Sequence, residues 1–211
     1  MSEIASIPSK RESTDDRRAA IARAARQLIV EKGVEGLRTR DIADRVGINV
    51  ATLHYHVPTK EALIELVAES LKFEFMSQHV VRPRAHMDAM GRMDMEFVDF
   101  REMIEDRPDV MLVFSELIER ARRDERIAVA IRPMLRKWRQ ILIDILSEGV
   151  RDGVYRADLD AEPAALMMMG AVVGFCRSGN KDFDGYERLV AELKRAIRNP
   201  NYQPQDTHSK D

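Results

Sequence analysis

Apolar positions recur every three or four residues near the start of the chain. They are Ile21, Ala24, Ala25, Leu28 and Ile29. This spacing puts them on one face of a helix that begins at about Asp15 and ends at Gly33. Thr14 is the expected N-cap, and glycine is a common residue just after a helix. The first predicted element is therefore an amphipathic helix with one buried face.

The stretch RDIADRVGINVATLHYHVPTK, residues 40–60, contains two much shorter helical patterns. One follows Thr39 as its cap, and the other follows Asn49 as its cap. Gly47 between them can adopt the left-handed backbone of a tight turn, and Pro58 ends the second helix. Helices this short are marginal alone, so they must pack on longer neighbours. The pattern predicts a helix-turn-helix unit.

The rest of the chain also has helical periodicity, interrupted at prolines, glycines and acidic loops. Thr59 is the expected cap of a long helix that continues to about Phe75. Further helices are predicted over 87–107, 109–123, 124–149, 163–177 and 186–199. The predicted fold is all-α, with an N-terminal three-helix helix-turn-helix unit and a C-terminal helical bundle. The predicted divisions are a disordered tail at 1–13, the helix-turn-helix domain at 14–60, the bundle at 61–199 and a disordered tail at 200–211.

Composition narrows the class of protein. Of the 211 residues, 45% are apolar and 33% are charged, which is typical of a globular chain. A single cysteine, Cys176, excludes an intrachain disulfide. The N-terminus lacks the apolar core of a signal peptide. The most apolar stretch, 164–176, has 13 residues, whereas a membrane span needs about 20. We therefore expect a cytoplasmic protein without membrane contact.

Charge is unevenly distributed along the chain. The net charge is −2 overall, but residues 1–60 hold 11 lysines and arginines against 8 aspartates and glutamates, a net of +3. The second helix of a helix-turn-helix enters the DNA major groove with its first turn. Here that turn is followed by histidine, tyrosine and lysine side chains, which can bind phosphates. Double-stranded DNA is the partner that accounts for this surface.

Each candidate DNA-binding residue has a physical role. Arg40 can fork onto O6 and N7 of guanine, a contact worth about 1–3 kcal/mol of base discrimination. Tyr55 and His56 can hydrogen-bond phosphates, and Lys60 lies beside helix-start amides that attract anions. The candidate set is Thr39, Arg40, Asn49, Val50, Ala51, Thr52, His54, Tyr55, His56 and Lys60.

Simpler alternatives exist for some of these residues. Tyr55 can be a core aromatic that tethers its helix, and Arg40 can pair with Asp44 across one helical turn. His54 and His56 diverge on a helix, so no metal site is expected there. For the whole protein, the alternative is a helical protein–protein adaptor that has lost DNA binding. In an adaptor, the polar side chains of the two short helices would be dispensable.

The segment TRDIADRVGINVATLHYHVPTKEALI, residues 39–64, resembles the DNA-binding signature of the TetR family of bacterial transcription regulators. The matched positions are Thr39, Ile42, Ala43, Gly47, Thr52, Leu53, the aromatic cluster that follows, and Lys60 to Leu63. The resemblance is strong over about residues 15–70 and architectural beyond. It implies a homodimer on a palindromic operator, with an effector cavity in the C-terminal bundle and the last two helices at the dimer interface.

Two apolar features of the C-terminal part are relevant to the dimer. The segment AALMMMGAVVGFC, residues 164–176, is apolar on every side, so a helix there needs a second cover, which a partner subunit can supply. The last helix has an apolar stripe that can complete a four-helix interface across a two-fold axis. The stripe is Leu189, Val190, Leu193 and Ile197.

Methionine is abundant in the C-terminal part, where it can shape an apolar effector cavity or simply fill a core. The candidate effector-binding residues are Phe100, Met103, Trp138 and Met168. The sequence has no glycine-rich phosphate loop and no nucleophile elbow, so we expect neither an enzyme nor a cofactor. The predicted function is a DNA-binding transcriptional repressor that a small, largely apolar effector releases from its operator.

Overall fold

The computed structural model describes residues 13–179 and 182–202, so the two predicted tails fall almost entirely outside it. Within this part of the chain the only β-structure is one isolated bridge between Tyr155 and Arg198. The predicted all-α fold is confirmed. The helices are α1 (Thr14–Lys32), α2 (Thr39–Val46), α3 (Val50–His56), α4 (Lys60–Val81), α5 (Ala89–Asp106), α6 (Pro108–Ala121), α7 (Glu125–Arg151), α8 (Ala161–Arg177) and α9 (Phe183–Ile197).

The N-caps of the first two helices differ from the predicted ones. The N-cap of α1 is Ser13 rather than Thr14. The Ser13 hydroxyl accepts from the Asp16 amide at 3.0 Å, and the Asp16 carboxylate accepts from the Ser13 amide at 3.3 Å. This capping box satisfies two amides that helical bonding leaves free. In α2, Arg38 holds the cap position without a side-chain hydrogen bond. The prediction that Thr39 caps α2 is therefore wrong.

The chain divides into two compact units between Ser70 and Leu71, whereas the sequence pattern places the boundary after residue 60. The first half of α4 accounts for the difference. Leu63 and Val67 on this half are buried, and Arg26 of α1 donates to the Ser70 hydroxyl at 3.1 Å. These residues attach the start of α4 to the N-terminal unit.

The core of the N-terminal unit takes one apolar face from each of its helices. α1 packs on α2, and α2 packs on α3. Ile21 of α1, Ile42 of α2 and Leu53 of α3 are all completely buried. Because α2 and α3 are too short to be stable alone, this shared core holds them in place.

In the C-terminal unit, α7 packs against α5, α6 and α8. Two buried tyrosines join distant parts of this unit. The Tyr155 hydroxyl donates to the Ala89 carbonyl at 2.9 Å, and the Tyr186 hydroxyl donates to the Phe97 carbonyl at 2.9 Å. The ring of Tyr155 lies so close to Gly149 that any Cβ there would overlap it. Both tyrosines therefore fix α5, which carries part of the cavity described below.

α8 is apolar on more than one side, and the chain itself covers only part of it. Leu166 is 63% exposed and Met167 is 41% exposed. The stripe on α9 differs from the prediction, because Val190, Leu193 and Ile197 are buried within the subunit. A partner cannot cover side chains that the subunit already covers. Of the predicted α9 stripe only Leu189 is partly exposed, so most of the apolar surface left uncovered here belongs to α8.

Candidate DNA-binding surface and effector cavity

Gly47 and Asn49 build the turn between α2 and α3. Gly47 has φ 74° and ψ 34°, the left-handed conformation that was predicted and that other residues rarely adopt. The Asn49 side chain accepts from the Thr52 amide at 2.7 Å, so the predicted cap is confirmed. The turn thus sets where α3 begins and which residues form its first turn. As the second helix of the helix-turn-helix unit, α3 is called the recognition helix below.

The side of α3 away from the buried Leu53 faces solvent. Ala51 and His54 are exposed, and Tyr55 is 81% exposed. The alternative that Tyr55 is a core aromatic is therefore wrong. Its ring meets the His56 ring edge to face, with 5.2 Å between centroids. The other candidates on this helix are partly exposed: Val50, Thr52 and His56. α3 thus presents hydrogen-bonding groups to solvent along most of its length.

Thr39 and Arg40 lie exposed in the first turn of α2. Within the described residues Arg40 forms no ion pair, so the alternative pairing with Asp44 does not occur. The neighbouring Arg45 is occupied, because it donates to both carboxylate oxygens of Glu31 at 2.8 and 2.9 Å. That guanidinium holds the pKa of the Glu31 carboxyl below its usual range. Arg45 thus joins α2 to α1, whereas Arg40 is available to a partner.

Lys60 lies exposed in the first turn of α4. The Thr59 hydroxyl accepts from the Ala62 amide at 3.1 Å, so the predicted cap is confirmed. The Lys60 ammonium is 3.9 Å from the Glu35 carboxylate, and the two side chains are 46% and 67% exposed. An exposed pair of this kind is worth about 1 kcal/mol or less. Lys60 can therefore exchange this partner for a phosphate.

Arg18 of α1 helps to position α3, although no residue pattern in the sequence points to it. Its guanidinium donates to the His56 carbonyl at 3.3 Å and to the Glu69 carboxylate at 3.4 Å. It therefore joins the C-terminal end of α3 to α1 and α4, where a cation also suits the helix dipole. No local sequence signal identifies this role, since His56 lies 38 residues away.

A cavity lies within the C-terminal unit, between the part of α4 beyond Ser70 and helices α5, α6 and α7. It contains about 560 Å³ of space that no atom fills, part of it open to solvent. Phe100 and Trp138 of the candidate set line it, with 4.7 Å between their ring centroids. Met103 and Met168 are buried but do not line it, so the structure does not bring the four candidates together.

Two buried acidic side chains, Glu96 and Asp99, line one wall of this cavity. Arg84, in the loop before α5, donates to the Glu96 carboxylate at 2.5 Å and also to Asp99. The His79 imidazole is 3.4 Å from the Glu96 carboxylate. Burial raises the pKa of the Glu96 carboxyl to about 7 and lowers the pKa of His79. Among the described residues, no group of three His, Cys, Asp or Glu side chains could hold a metal ion.

Two protein-family models match the chain. The model of bacterial regulatory proteins of the TetR family matches residues 21–67, and that of the BetI-type transcriptional repressor C-terminal domain matches residues 101–180. The HTH-type transcriptional repressor KstR2 of Mycobacterium tuberculosis is 27% identical over 152 residues, covering 70% of this chain and 74% of that protein. The class A tetracycline repressor of Escherichia coli is 40% identical over 68 residues, covering 32% and 31%.

Solved structures share the fold. A transcriptional regulator from Saccharomonospora viridis in complex with choline has a TM-score of 0.74 at 22% identity, covering 87% of this chain and 98% of that one. The regulator FadR from Bacillus subtilis in complex with stearoyl-CoA has a TM-score of 0.71 at 19% identity, covering 84% and 96%. At such identities the likeness concerns the fold alone.

The helix-turn-helix unit and the helical C-terminal unit together define a DNA-binding transcription regulator. The chain belongs to the TetR family of bacterial regulators, and its function is therefore regulatory rather than enzymatic. The family assignment favours this class over the adaptor alternative. In residues 13–179 and 182–202, no helix is both long enough and apolar enough to cross a membrane.

Proposed function

We propose that the protein is a homodimeric repressor that leaves a palindromic operator when a small, largely apolar effector occupies the cavity. The observation that carries this proposal is the continuity of α4. This helix begins with the phosphate-binding candidate Lys60 and continues to Phe75 and His79, which line the cavity. One helix therefore contributes to both proposed sites. That KstR2 is itself a repressor supports the direction of regulation.

The proposed DNA contacts divide into two kinds. Arg40 and the first turn of α3, from Val50 to Thr52, contact base edges. His54, Tyr55, His56 and Lys60 contact phosphates, and Thr39 contributes at the start of α2. The exposure of these side chains supports the proposal. Phosphate contacts set the position on the duplex, and base contacts choose the sequence.

The proposed dimer uses the uncovered face of α8. Leu166 and Met167 are exposed, and the neighbouring Gly170 and Gly174 are also exposed, with no atom within 4 Å of an added Cβ. Small residues allow a second helix to approach closely, and large side chains left exposed mark an interface. A two-fold dimer presents two recognition helices, which matches a palindrome.

The effector acts by selecting between two arrangements of the dimer. A ligand shifts such an equilibrium only by the difference between its affinities for the two arrangements. In one arrangement the spacing of the two recognition helices does not match the half-sites of the operator. An effector that binds this arrangement more tightly therefore releases the operator. The solved neighbours hold choline in one case and stearoyl-CoA in another, so the fold by itself does not choose the effector.

The dimer and its role in DNA binding can be tested with Leu166→Glu. Light scattering should show a monomer, and fluorescence anisotropy should show loss of specific operator binding with weak nonspecific binding retained. The matched control is Val129→Glu on α7, another exposed apolar residue, at 49% exposure. It should remain dimeric. A Leu166→Glu protein that stays dimeric would exclude the α8 interface, and a monomer with undiminished operator affinity would exclude the dimeric binding mode.

A further inference from the structure

Four aromatic rings pack against one another and line the cavity. They are Phe75 from α4, Phe100 from α5, Phe114 from α6 and Trp138 from α7. Successive centroid separations around the cycle are 5.6 Å, 4.7 Å, 6.2 Å and 5.2 Å. Such walls offer both faces and edges of rings, which suits an apolar body that itself contains a ring. Aromatic walls alone also suit a cation, so the charges nearby decide the class of ligand.

The acidic side chains at this cavity are already neutralised. Asp99 accepts from Arg84 and, at 2.7 Å, from Arg82, while Glu96 accepts from Arg84 at 2.5 Å. Burial also favours the protonated form of Glu96. A cationic ligand would have to compete with the two arginines for these carboxylates. The wall therefore offers little uncompensated negative charge.

Three side chains of the cavity wall carry hydrogen-bond donors without partners in the described part of the chain. The indole N–H of Trp138 is buried and has no hydrogen-bond partner among the described residues. Lys72 and Lys137 line the same cavity, and neither forms an ion pair or a hydrogen bond within that part of the chain. By contrast, the Gln78 amide already donates to the Asp99 carbonyl at 3.1 Å. Indole and ammonium groups can only donate, so a matching ligand must bring acceptors.

We propose that the cavity binds an organic anion, with a ring-bearing apolar body packed against the cluster of four aromatic side chains and a carboxylate beside Lys72, Lys137 and the Trp138 N–H. This inference rests on the proposed function, in which the cavity is the effector site. Both lysines are exposed residues that line the cavity: Lys72 lies one turn before Phe75 on α4, and Lys137 precedes Trp138 on α7. A carboxylate there gains charge-assisted hydrogen bonds, which are stronger than neutral ones.

Trp138 is the only tryptophan of the chain, so its fluorescence reports on this cavity. The probes are 4-phenylbutyrate, 4-phenylbutyramide and 3-phenylpropyl-trimethylammonium, which share a phenylalkyl body and differ in charge. The anion should bind about tenfold more tightly than the neutral amide, and the cation should bind most weakly. Lys72→Met and Lys137→Met should each weaken the anion about threefold or more and leave the amide unchanged. Arg136→Met, an exposed substitution on α7 outside the cavity wall, should change neither affinity.

Tighter binding of the cation or the amide would overturn the anion assignment and leave the cavity as a ligand site. Equal losses of affinity for all three probes in the lysine variants would also overturn it, because the lysines would then act only on the shape of the cavity. No response of Trp138 to any probe would refute the cavity as a ligand site altogether. Adding 4-phenylbutyrate to the protein on its operator separates the two proposals: lysine-dependent binding without DNA release would support the anion site and contradict the effector mechanism.

Discussion

Replacing Glu96 by glutamine removes one buried titratable group whose pKa the fold raises. Glu96 is 5% exposed, and burial raises the pKa of its carboxyl from 4.5 to about 7 despite the hydrogen bond from Arg84. Arg84 and Asp99 face it together with His79 of α4. Glutamine keeps nearly the same size and can still accept from Arg84, but it cannot ionise. The comparison of Glu96→Gln with the wild type therefore isolates the contribution of Glu96 ionisation to stability.

The sign of the effect follows from the direction of the shift. The folded protein holds the Glu96 proton more tightly than the unfolded chain does, so rising pH favours unfolding between the two pKa values. Between pH 4.5 and about pH 7, the wild type should lose about 3 kcal/mol of unfolding free energy from this group. Above about pH 7 both states are ionised, and this group causes no further loss.

Urea unfolding followed by Trp138 fluorescence, at one protein concentration and several pH values, measures this loss. The stability of Glu96→Gln relative to wild type should rise by about 2–3 kcal/mol between pH 5 and pH 8. His79, whose pKa burial lowers, titrates in the opposite sense but is present in both proteins. Glu192→Gln is an exposed control on α9, and its free energy of unfolding should vary with pH as that of the wild type does. A constant difference between Glu96→Gln and wild type would refute the raised pKa.

Three further substitutions test the DNA-binding unit. Arg40→Ala should lose about 1–3 kcal/mol of discrimination at one base pair in each half-site, measured by anisotropy on altered operators; equal weakening on every sequence would remove the base contact. Lys60→Ala should weaken binding to all DNA sequences alike and reduce the slope of log binding constant against log salt concentration by about one; an unchanged slope would exclude a phosphate contact. Gly47→Ala should cost about 1–2 kcal/mol of unfolding free energy through its φ of 74°, since no neighbouring atom lies within 4 Å. Undiminished stability would contradict backbone strain at that turn.

Most helices could be predicted because each combines an apolar stripe with polar groups at its ends. The turn at Gly47 and the caps at Asn49 and Thr59 are local features, so the sequence alone was sufficient there. The unit boundary was not local. Leu63 and Val67 continue the periodicity of α4 without a break, and only their burial in the N-terminal unit shows where the division falls.

The candidate DNA-binding residues of α3 could be proposed from sequence because a short helix with one buried residue must expose most of the others. The cavity could not be derived in the same way, since four separate helices supply its walls. Met103 and Met168 satisfy the same apolar pattern as true lining residues but pack into the core. Phe75 and Phe114 became candidates only once the fold placed their rings 5.2 Å apart. Arg18 was missed for the same reason, because its partners are distant in sequence.

We propose that this chain recognises a DNA sequence as a symmetric dimer. Selection of bound fragments from random and genomic DNA, followed by footprinting of the enriched fragments at two salt concentrations, tests it most directly. We expect a palindrome whose half-sites lie about one helical turn, or a multiple of it, apart. Protection of that palindrome should persist at a salt concentration that removes nonspecific binding. Enrichment of no sequence, with only salt-sensitive binding along every fragment, would contradict the claim.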